Sequence, residues 1–164
     1  MTAHLQGSRH GRSLLSTPVR YAIRALVSLD DHGTYRLAKD ISVELSLPQP
    51  YLAKILQALA LGGILESMRG PNGGFRLHRP AHRISLQEVV SVLDGIEPME
   101  ACLLGLGACG ANRECPLHPA WDQVQGLLAG LLERTTIRDL QLAGDGAFPE
   151  GGTSRVPGRT TQKD

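Results

Sequence analysis

The sequence is poor in aromatic residues, in cysteine and in long apolar runs. Phe, Trp and Tyr make up 4% of its 164 residues, which is too few for a core or a binding face built on stacked rings. No apolar run reaches the roughly 20 residues of a membrane-spanning helix, and the first residues lack the apolar stretch of a secretory signal peptide. With 41% hydrophobic and 20% charged residues, we expect a cytoplasmic protein with one globular unit, short appendages and no membrane partner.

Cysteine is scarce, and its placement is informative. The three cysteines all lie within residues 102–115. A disulfide framework would spread an even number of cysteines along a secreted chain, so this pattern argues against one. The cluster indicates a metal or redox site instead.

The net charge of +1 conceals an uneven distribution. Residues 36–83 carry seven basic and three acidic side chains, whereas residues 84–150 carry three basic and ten acidic ones. A basic first half is typical of a chain that meets a polyanion there. Such an asymmetry also occurs in ordinary proteins, so the motifs decide what it means.

Three helices are predicted before the glycine pair at residues 62–63. Thr17 is predicted as the N-cap of the first helix, Pro18 as its first residue and His32-Gly33 as its end. The second helix covers 37–45, and Pro50 opens the third after a short turn. Apolar residues at helical spacing form the inner faces: Leu37, Ala38, Ile41 and Leu45 in the second helix, and Leu52, Ile55, Leu56 and Leu59 in the third. This arrangement indicates a helix-turn-helix.

A β-hairpin is predicted directly after the third helix. Two β-prone runs, 64–68 and 75–79, flank a glycine-rich segment containing Asn72-Gly73, a dipeptide that favours a tight turn. Three helices followed by a hairpin form a winged helix. The fold class is therefore mainly α with a small β-hairpin wing, a winged helix-turn-helix followed by a long C-terminal helix.

The remaining chain divides into a short helix, a cysteine segment and a long helix. Ser85 and Glu88 form a capping box that opens the short helix, and Pro119 opens the long one. The apolar stripe of the long helix consists of Trp121, Val124, Leu127, Leu128, Leu131 and Leu132. This stripe is wider than a small domain needs, which favours a dimer interface over packing against the chain's own domain.

These patterns predict five regions along the chain. They are a flexible arm (1–13), a winged-helix DNA-binding domain (14–95), a cysteine loop (96–118), a dimerisation helix (119–141) and a disordered tail (142–164).

The cysteine loop contains four candidate metal ligands. Cys102, Cys109, Cys115 and His118 follow one another with gaps of six, five and two residues. Thiolates and imidazole suit iron–sulfur clusters and zinc. Structural zinc favours pairs with shorter gaps, so the spacing favours a cluster. Zinc, a metal-free thiol switch and inert cysteines remain as alternatives.

Several motifs in this order resemble one family. They are the Arg20-Tyr21-Ala22-Ile23 and Pro50-Tyr51-Leu52 segments, the wing sequence Arg69-Gly-Pro-Asn-Gly-Gly-Phe-Arg-Leu, the three-cysteine loop and the ending Thr-Thr-Ile-Arg-Asp-Leu of the long helix. Over residues 14–141 the chain resembles the IscR/NsrR family of winged-helix iron–sulfur regulators. The resemblance implies a homodimer on a palindromic double-stranded DNA operator, with a cluster sensing iron–sulfur status, nitric oxide or redox state.

The resemblance also bears on the fourth ligand. In IscR-like members a histidine three residues after the third cysteine completes a [2Fe–2S] site, and His118 matches that position. In NsrR-like members an acidic residue from the first helix of the other subunit ligates a [4Fe–4S] cluster, and here Arg20 occupies that place. A cation cannot serve as a ligand, so the resemblance favours [2Fe–2S] over [4Fe–4S].

Two positions depart from the family pattern. The gap between Cys102 and Cys109 is one residue longer than the commoner spacing, and Ala53 stands where IscR-like recognition helices often carry Glu. A Glu there can reject some operators through unfavourable charge. Its absence weakens any expectation of a cluster-dependent switch of operator choice.

The expected DNA contacts lie on the third helix and the wing. The exposed start of the helix reaches base edges or phosphates in the major groove, and a wing arginine enters the minor groove. The candidate residues are Gln49, Tyr51, Lys54, Arg69, Asn72, Gly73 and Arg76.

The sequence carries no signature of an enzyme. It has no paired-carboxylate or nucleophile motif, and the glycine-rich segment 70–74 is not followed by the Lys-Ser/Thr of a phosphate-binding loop. We therefore expect neither catalysis nor a small-molecule substrate. The alternatives are a zinc- or thiol-based winged-helix regulator and a winged-helix protein-interaction module without a cluster.

Overall fold

The first helix, α1 (Thr17–Val27), packs one face into the core of the computed structural model, which describes residues 13–31, 33–70, 73–95, 102–104 and 115–144. The hydroxyl of Ser16 accepts a hydrogen bond from the Val19 amide, so Ser16 is the N-cap. The predicted cap, Thr17, is one residue late because Pro18 fits the second helical position as well as the first. The helix ends at Val27, well before the predicted end at residues 32–33.

The next two helices form the helix-turn-helix. These are α2 (Ala38–Glu44) and α3 (Gln49–Leu61). The predicted inner face of α3 is confirmed, since all four of its apolar residues are buried. The inner face of α2 is partly wrong: Ile41 is buried, but Leu37 is the N-cap residue and is exposed.

The wing is an antiparallel hairpin of β1 (Leu65–Met68) and β2 (Gly74–Leu77). Leu65 pairs with Leu77 and Glu66 pairs with Arg76. Both leucines are buried, so that face of the hairpin covers the core, while the polar pair occupies the other face because side chains alternate along a strand. A 3₁₀ turn (Ala81–Arg83) then leads to α4 (Leu86–Asp94).

The predicted capping box at the start of α4 is confirmed. Glu88 donates its amide to the Ser85 hydroxyl, and its carboxylate accepts from the Ser85 amide and from Arg79. Burial works against ionisation of this carboxyl, but the Ser85 amide and Arg79 outweigh it and lower the pKa of Glu88. The charged form therefore holds the cap.

The segment predicted as a single helix, 119–141, is two helices. These are α5 (His118–Arg134) and α6 (Ile137–Ala143), separated at Thr135 and Thr136. Thr136 begins a second capping box with Asp139, which satisfies the amides of a new helix start and so breaks the longer helix.

The end of α5 returns to the winged-helix domain. The Leu86 amide donates to the Thr135 carbonyl, and the Ile137 amide donates to the Ile84 carbonyl, both at 2.9 Å. Ile137 is fully buried in the same core as α1, α3 and α4. The compact unit therefore extends beyond residue 95 and includes the end of α5 and the start of α6.

Candidate nucleic-acid interface and cysteine pocket

The exposed start of α3 presents three of the predicted contact residues. Gln49, Tyr51 and Lys54 are all exposed, on the side opposite the buried stripe. Tyr51 is 39% exposed, and its ring meets the ring of Tyr21 edge-on with centroids 5.8 Å apart. This contact from α1 fixes an aromatic side chain at the helix start, where a recognition helix touches base edges.

The wing tip is built by close backbone packing. Arg69 is exposed directly after β1. Gly73 donates its amide to the Gly70 carbonyl at 3.0 Å, and a Cβ at Gly73 would come within 2.2 Å of the Met68 carbonyl oxygen. Glycine is therefore required there to close the turn beside the exposed arginine. Asn72, the remaining candidate of the tip, lies outside the described residues.

Arg76 is engaged within the domain. Its Nε donates to the Glu66 carboxylate at 2.6 Å, Nη1 donates to the Gly33 carbonyl at 3.1 Å, and the guanidinium lies 4.5 Å from the centroid of the Tyr35 ring. Tyr35 donates its hydroxyl to the same carboxylate at 3.1 Å, and His78 Nδ1 lies 3.4 Å from it. The structure thus gives Arg76 a set of intramolecular partners that the sequence pattern did not predict.

The electrostatics of this group hold its charges in place. The hydrogen bond from Arg76, followed by that from Tyr35, lowers the pKa of Glu66, and the bond to Glu66 raises the pKa of Arg76. Burial, followed by its hydrogen bond to Glu66, raises the pKa of Tyr35. An ionised carboxylate, a guanidinium and a neutral phenol therefore persist together around neutral pH.

A third extended segment, around Arg36, pairs with the wing, and the sequence patterns did not predict it. The amide of Arg36 donates to the Phe75 carbonyl and the amide of Phe75 donates to the Arg36 carbonyl, each at 2.9 Å. The side chain of Arg36 pairs with Glu44 of α2 and donates to the Ser28 carbonyl at the end of α1. The short run Thr34-Tyr35-Arg36-Leu37, with its β-prone tyrosine, was the available signal.

Three of the predicted metal ligands line one pocket. Cys102, Cys115 and His118 surround it, with Trp121 and the leucines at 103, 104 and 117 as its other walls. The His118 amide donates to the Cys115 carbonyl at 3.1 Å, a turn that sets the cysteine and the histidine at the start of α5. Trp121, which the sequence pattern assigns to the dimer stripe, is a wall of this pocket.

Two thiols and an imidazole in an apolar pocket are suitable donors for an iron–sulfur cluster or zinc. Cys109 lies outside the described residues. Within the described ranges, no group of three Cys, His, Asp or Glu side chains is arranged to hold a metal ion. The described residues thus fit the cluster in donor type, and the predicted ligand set includes Cys109 as well.

One side of α5 leaves apolar side chains in solvent. Leu128 and Leu132 pack toward the core, whereas Val124, Leu127 and Leu131 are 48%, 73% and 56% exposed. The predicted stripe therefore has two parts. Its inner edge packs against the chain's own domain, and its outer row is an apolar surface exposed to solvent.

Both the sequence and the architecture are similar to those of known proteins. Residues 15–142 match the family model described as Rrf2, iron-dependent transcriptional regulator. The chain belongs to the Rrf2 family. It is 31% identical over 129 residues to the IscR regulator of Cronobacter sakazakii, a match that covers 77% of this chain and 78% of that protein.

Solved structures agree with the family assignment. The chain shares a fold with CymR, the global cysteine regulator of B. subtilis, with a TM-score of 0.69 and 25% identity over 80% of this chain and 98% of that one. It also matches the fold of T. potens IscR, with a TM-score of 0.63 and 21% identity over 84% of this chain and 93% of that one.

Membership of the Rrf2 family confirms the predicted winged-helix fold and the resemblance to IscR-like regulators. This Rrf2 protein is a DNA-binding transcriptional regulator and not an enzyme. None of the helices in the described part of the chain is long and apolar enough to span a membrane.

Proposed function

We propose that this Rrf2 protein is a homodimeric regulator that binds a palindromic operator in the cytoplasm under the control of an iron–sulfur cluster. The cluster would be held by Cys102, Cys109, Cys115 and His118. The observation that carries the proposal is the pocket at the start of α5, which two of these cysteines and the histidine line beside a helix with an exposed apolar row.

Each protomer would place α3 in a major groove, with the two sites about one helical turn apart. Gln49 is suited to reading adenine, and Lys54 to holding a phosphate. The wing, with Arg69, Asn72 and Gly73, would lie against the adjacent minor groove. The exposure of Gln49, Lys54 and Arg69 supports these roles.

The outer row of α5 supports a homodimer. Val124 and Leu131 are seven residues apart, with Leu127 between them, which is the a/d spacing of a helix that pairs with another helix. A two-fold partner would bring the same row from its own helix, because such an interface is self-complementary. If the rows of two protomers covered each other, apolar surface that each monomer exposes would be removed from water.

The similarity to IscR regulators favours a [2Fe–2S] cluster, in which His118 would be the fourth ligand. When bound, such a cluster supplies reversible one-electron chemistry and reactivity toward nitric oxide. Cys115 and His118 lie at the N-terminal end of α5, so a change in a cluster that they held would act directly on that helix. The far end of α5 is hydrogen-bonded to Ile84 and Leu86 at the start of α4, so such a change would be passed to the winged-helix domain.

Anaerobic purification tests the proposal. We expect a coloured protein with iron and sulfide in equal amounts, about two of each per protomer for [2Fe–2S]. The Cys109→Ala and His118→Ala variants should lose most of the iron, whereas His82→Ala, at an exposed residue in the 3₁₀ turn, should keep it. A colourless wild-type protein, or one that keeps its cluster after Cys109→Ala, contradicts the proposal.

A regulator without a cluster is the second candidate. The structural similarity to the cysteine regulator CymR favours it, together with the lack of a three-ligand group within the described ranges. Zinc would appear as one metal ion per protomer without sulfide. A thiol-based regulator would contain no stoichiometric metal and would change its DNA affinity on oxidation.

DNA binding itself is tested by a salt titration with a random-sequence duplex. Contacts to phosphate release counterions, so the affinity should fall steeply as salt rises. A winged-helix module that docks on proteins would give no such slope.

A further inference from the structure

We propose that Tyr35, Glu66 and Arg76 form a clasp that fixes the wing against the helix-turn-helix, and that they are positioning residues for DNA binding rather than DNA contacts. The inference rests on the proposed role of the wing at the minor groove. It differs from the expectation of the sequence, in which Arg76 itself touches DNA.

The first step is the geometry of the hairpin. Glu66 and Arg76 are directly opposed across β1 and β2, on the face away from the buried Leu65–Leu77 pair. Their ion pair has an N–O distance of 2.6 Å, and about a third of each side chain is exposed. A cross-strand pair of this kind ties the two strands together but does not orient the hairpin as a whole.

Orientation comes from the segment 33–36 before α2. Arg76 reaches across to the Gly33 carbonyl and lies over the Tyr35 ring, while the Tyr35 hydroxyl donates to Glu66. The clasp therefore joins both strands of the wing to the chain that enters α2. In the same segment Arg36 pairs with Glu44 of α2, so segment 33–36 contacts both the wing and α2.

The start of β2 packs closely against segment 33–36. A Cβ at Gly74 would lie 2.3 Å from the Arg36 carbonyl oxygen, and Gly74 has a φ of 131°. The first residue of β2 is thus pressed against the segment that the clasp holds. If the clasp opens, the two hydrogen bonds between Arg36 and Phe75 still link the wing to this segment.

The loss of a negative charge and the loss of a positioning contact predict opposite changes in DNA affinity when Glu66 is replaced. Glu66 is the one acidic residue of the sequence between 64 and 79, a stretch with three arginines. Removing an acid from a surface that faces DNA strengthens phosphate attraction. If Glu66 instead holds the wing in place, its removal weakens binding despite the gain in positive charge.

The test uses the full-length protein and a palindromic duplex that the wild-type protein selects from a random library. Glu66→Gln and Tyr35→Phe should each weaken binding at fixed salt, by about tenfold for Glu66→Gln. Hydroxyl-radical protection of the sugars in the minor groove should be lost beside the wing, whereas protection of guanine N7 in the major groove from methylation should be kept. Tyr35→Phe removes a single hydroxyl, so it preserves the fold if Glu66→Gln does not.

Two controls separate position from charge. Asp40→Asn removes an exposed acid from α2 and should leave binding unchanged or slightly tighter. Arg76→Lys keeps the charge but loses the forked contacts, so it should weaken binding. Arg79→Lys makes the same change in the ion pair to Glu88, which has the same 2.6 Å length, and should not weaken DNA binding.

Hydrogen exchange in the free protein gives a readout that does not depend on DNA. The amides of Arg36 and Phe75 should exchange faster in Glu66→Gln than in the wild type, while amides of α1 keep their rates. Unchanged exchange at these two amides overturns the clasp, as does duplex binding by Glu66→Gln that equals or exceeds the wild type. Failure of the wild-type protein to bind any duplex would instead contradict the proposed function.

Discussion

The exposed row on α5 gives a sharp test of the homodimer. Leu127 is 73% exposed in the monomer, and Leu127→Glu would place a charge in the centre of the row. Fully burying a leucine side chain contributes about 1.5–3 kcal/mol, so covering the exposed part of Leu127 is worth about 1–2 kcal/mol per protomer. A two-fold interface contains the residue twice, which gives about 2–4 kcal/mol for the dimer.

This loss corresponds to a dimer dissociation constant raised by about 30- to 1000-fold. Sedimentation equilibrium over a range of protein concentrations measures it, and a thermal melt checks that each protomer stays folded. Leu142→Glu is the matched control, because Leu142 is 70% exposed on α6 and lies outside the row. Equal dissociation constants for wild type and Leu127→Glu, or an equal effect of Leu142→Glu, would refute the assignment.

Three further predictions concern the wing and the second capping box. Arg69→Ala should weaken operator binding by about 1–3 kcal/mol at matched salt, and an unchanged dissociation constant would remove it from the interface. Gly74→Ala should lower the free energy of unfolding in urea by more than Gly63→Ala, because both have positive φ but only a Cβ at Gly74 meets backbone atoms. Hydrogen bonds from Thr136 hold the pKa of Asp139 below its ordinary value of 3.8, so the stability it contributes is present above that pH and lost as the pH falls below it. Asp139→Asn should therefore flatten the acid limb of the stability curve, and an unchanged limb would show that the cap carries no charge effect.

Local patterns predicted the elements that local physics determines. The buried stripe of α3 follows from apolar residues at helical spacing, and the hairpin follows from two β-prone runs around a glycine-rich turn. The capping box at Ser85 needs only two residues three apart. The break between α5 and α6 had the same kind of signal in Thr136 and Asp139, but the apolar stripe running through it obscured the second cap.

Contacts between distant segments could not be predicted in this way. Nothing in the wing sequence distinguishes an arginine that meets DNA from one that pairs across the hairpin, so the partners of Arg76 emerge only when segment 33–36 is folded beside it. The pairing of Arg36 with Phe75 likewise joins residues 39 positions apart in the sequence. Cys102, Cys115 and His118 line one pocket, but no three of the described side chains are arranged to hold a metal ion, so the ligand set stays a prediction.

The cysteine segment starts after α4 and ends at α5, two helices that touch each other and that both belong to the same compact unit. Both ends of the segment are therefore anchored in the same compact unit. Lengthening such a tethered stretch costs little, since the closure entropy grows only with the logarithm of its length. A residue can thus be added to the stretch, or a ligand replaced, without changing the winged-helix fold around it.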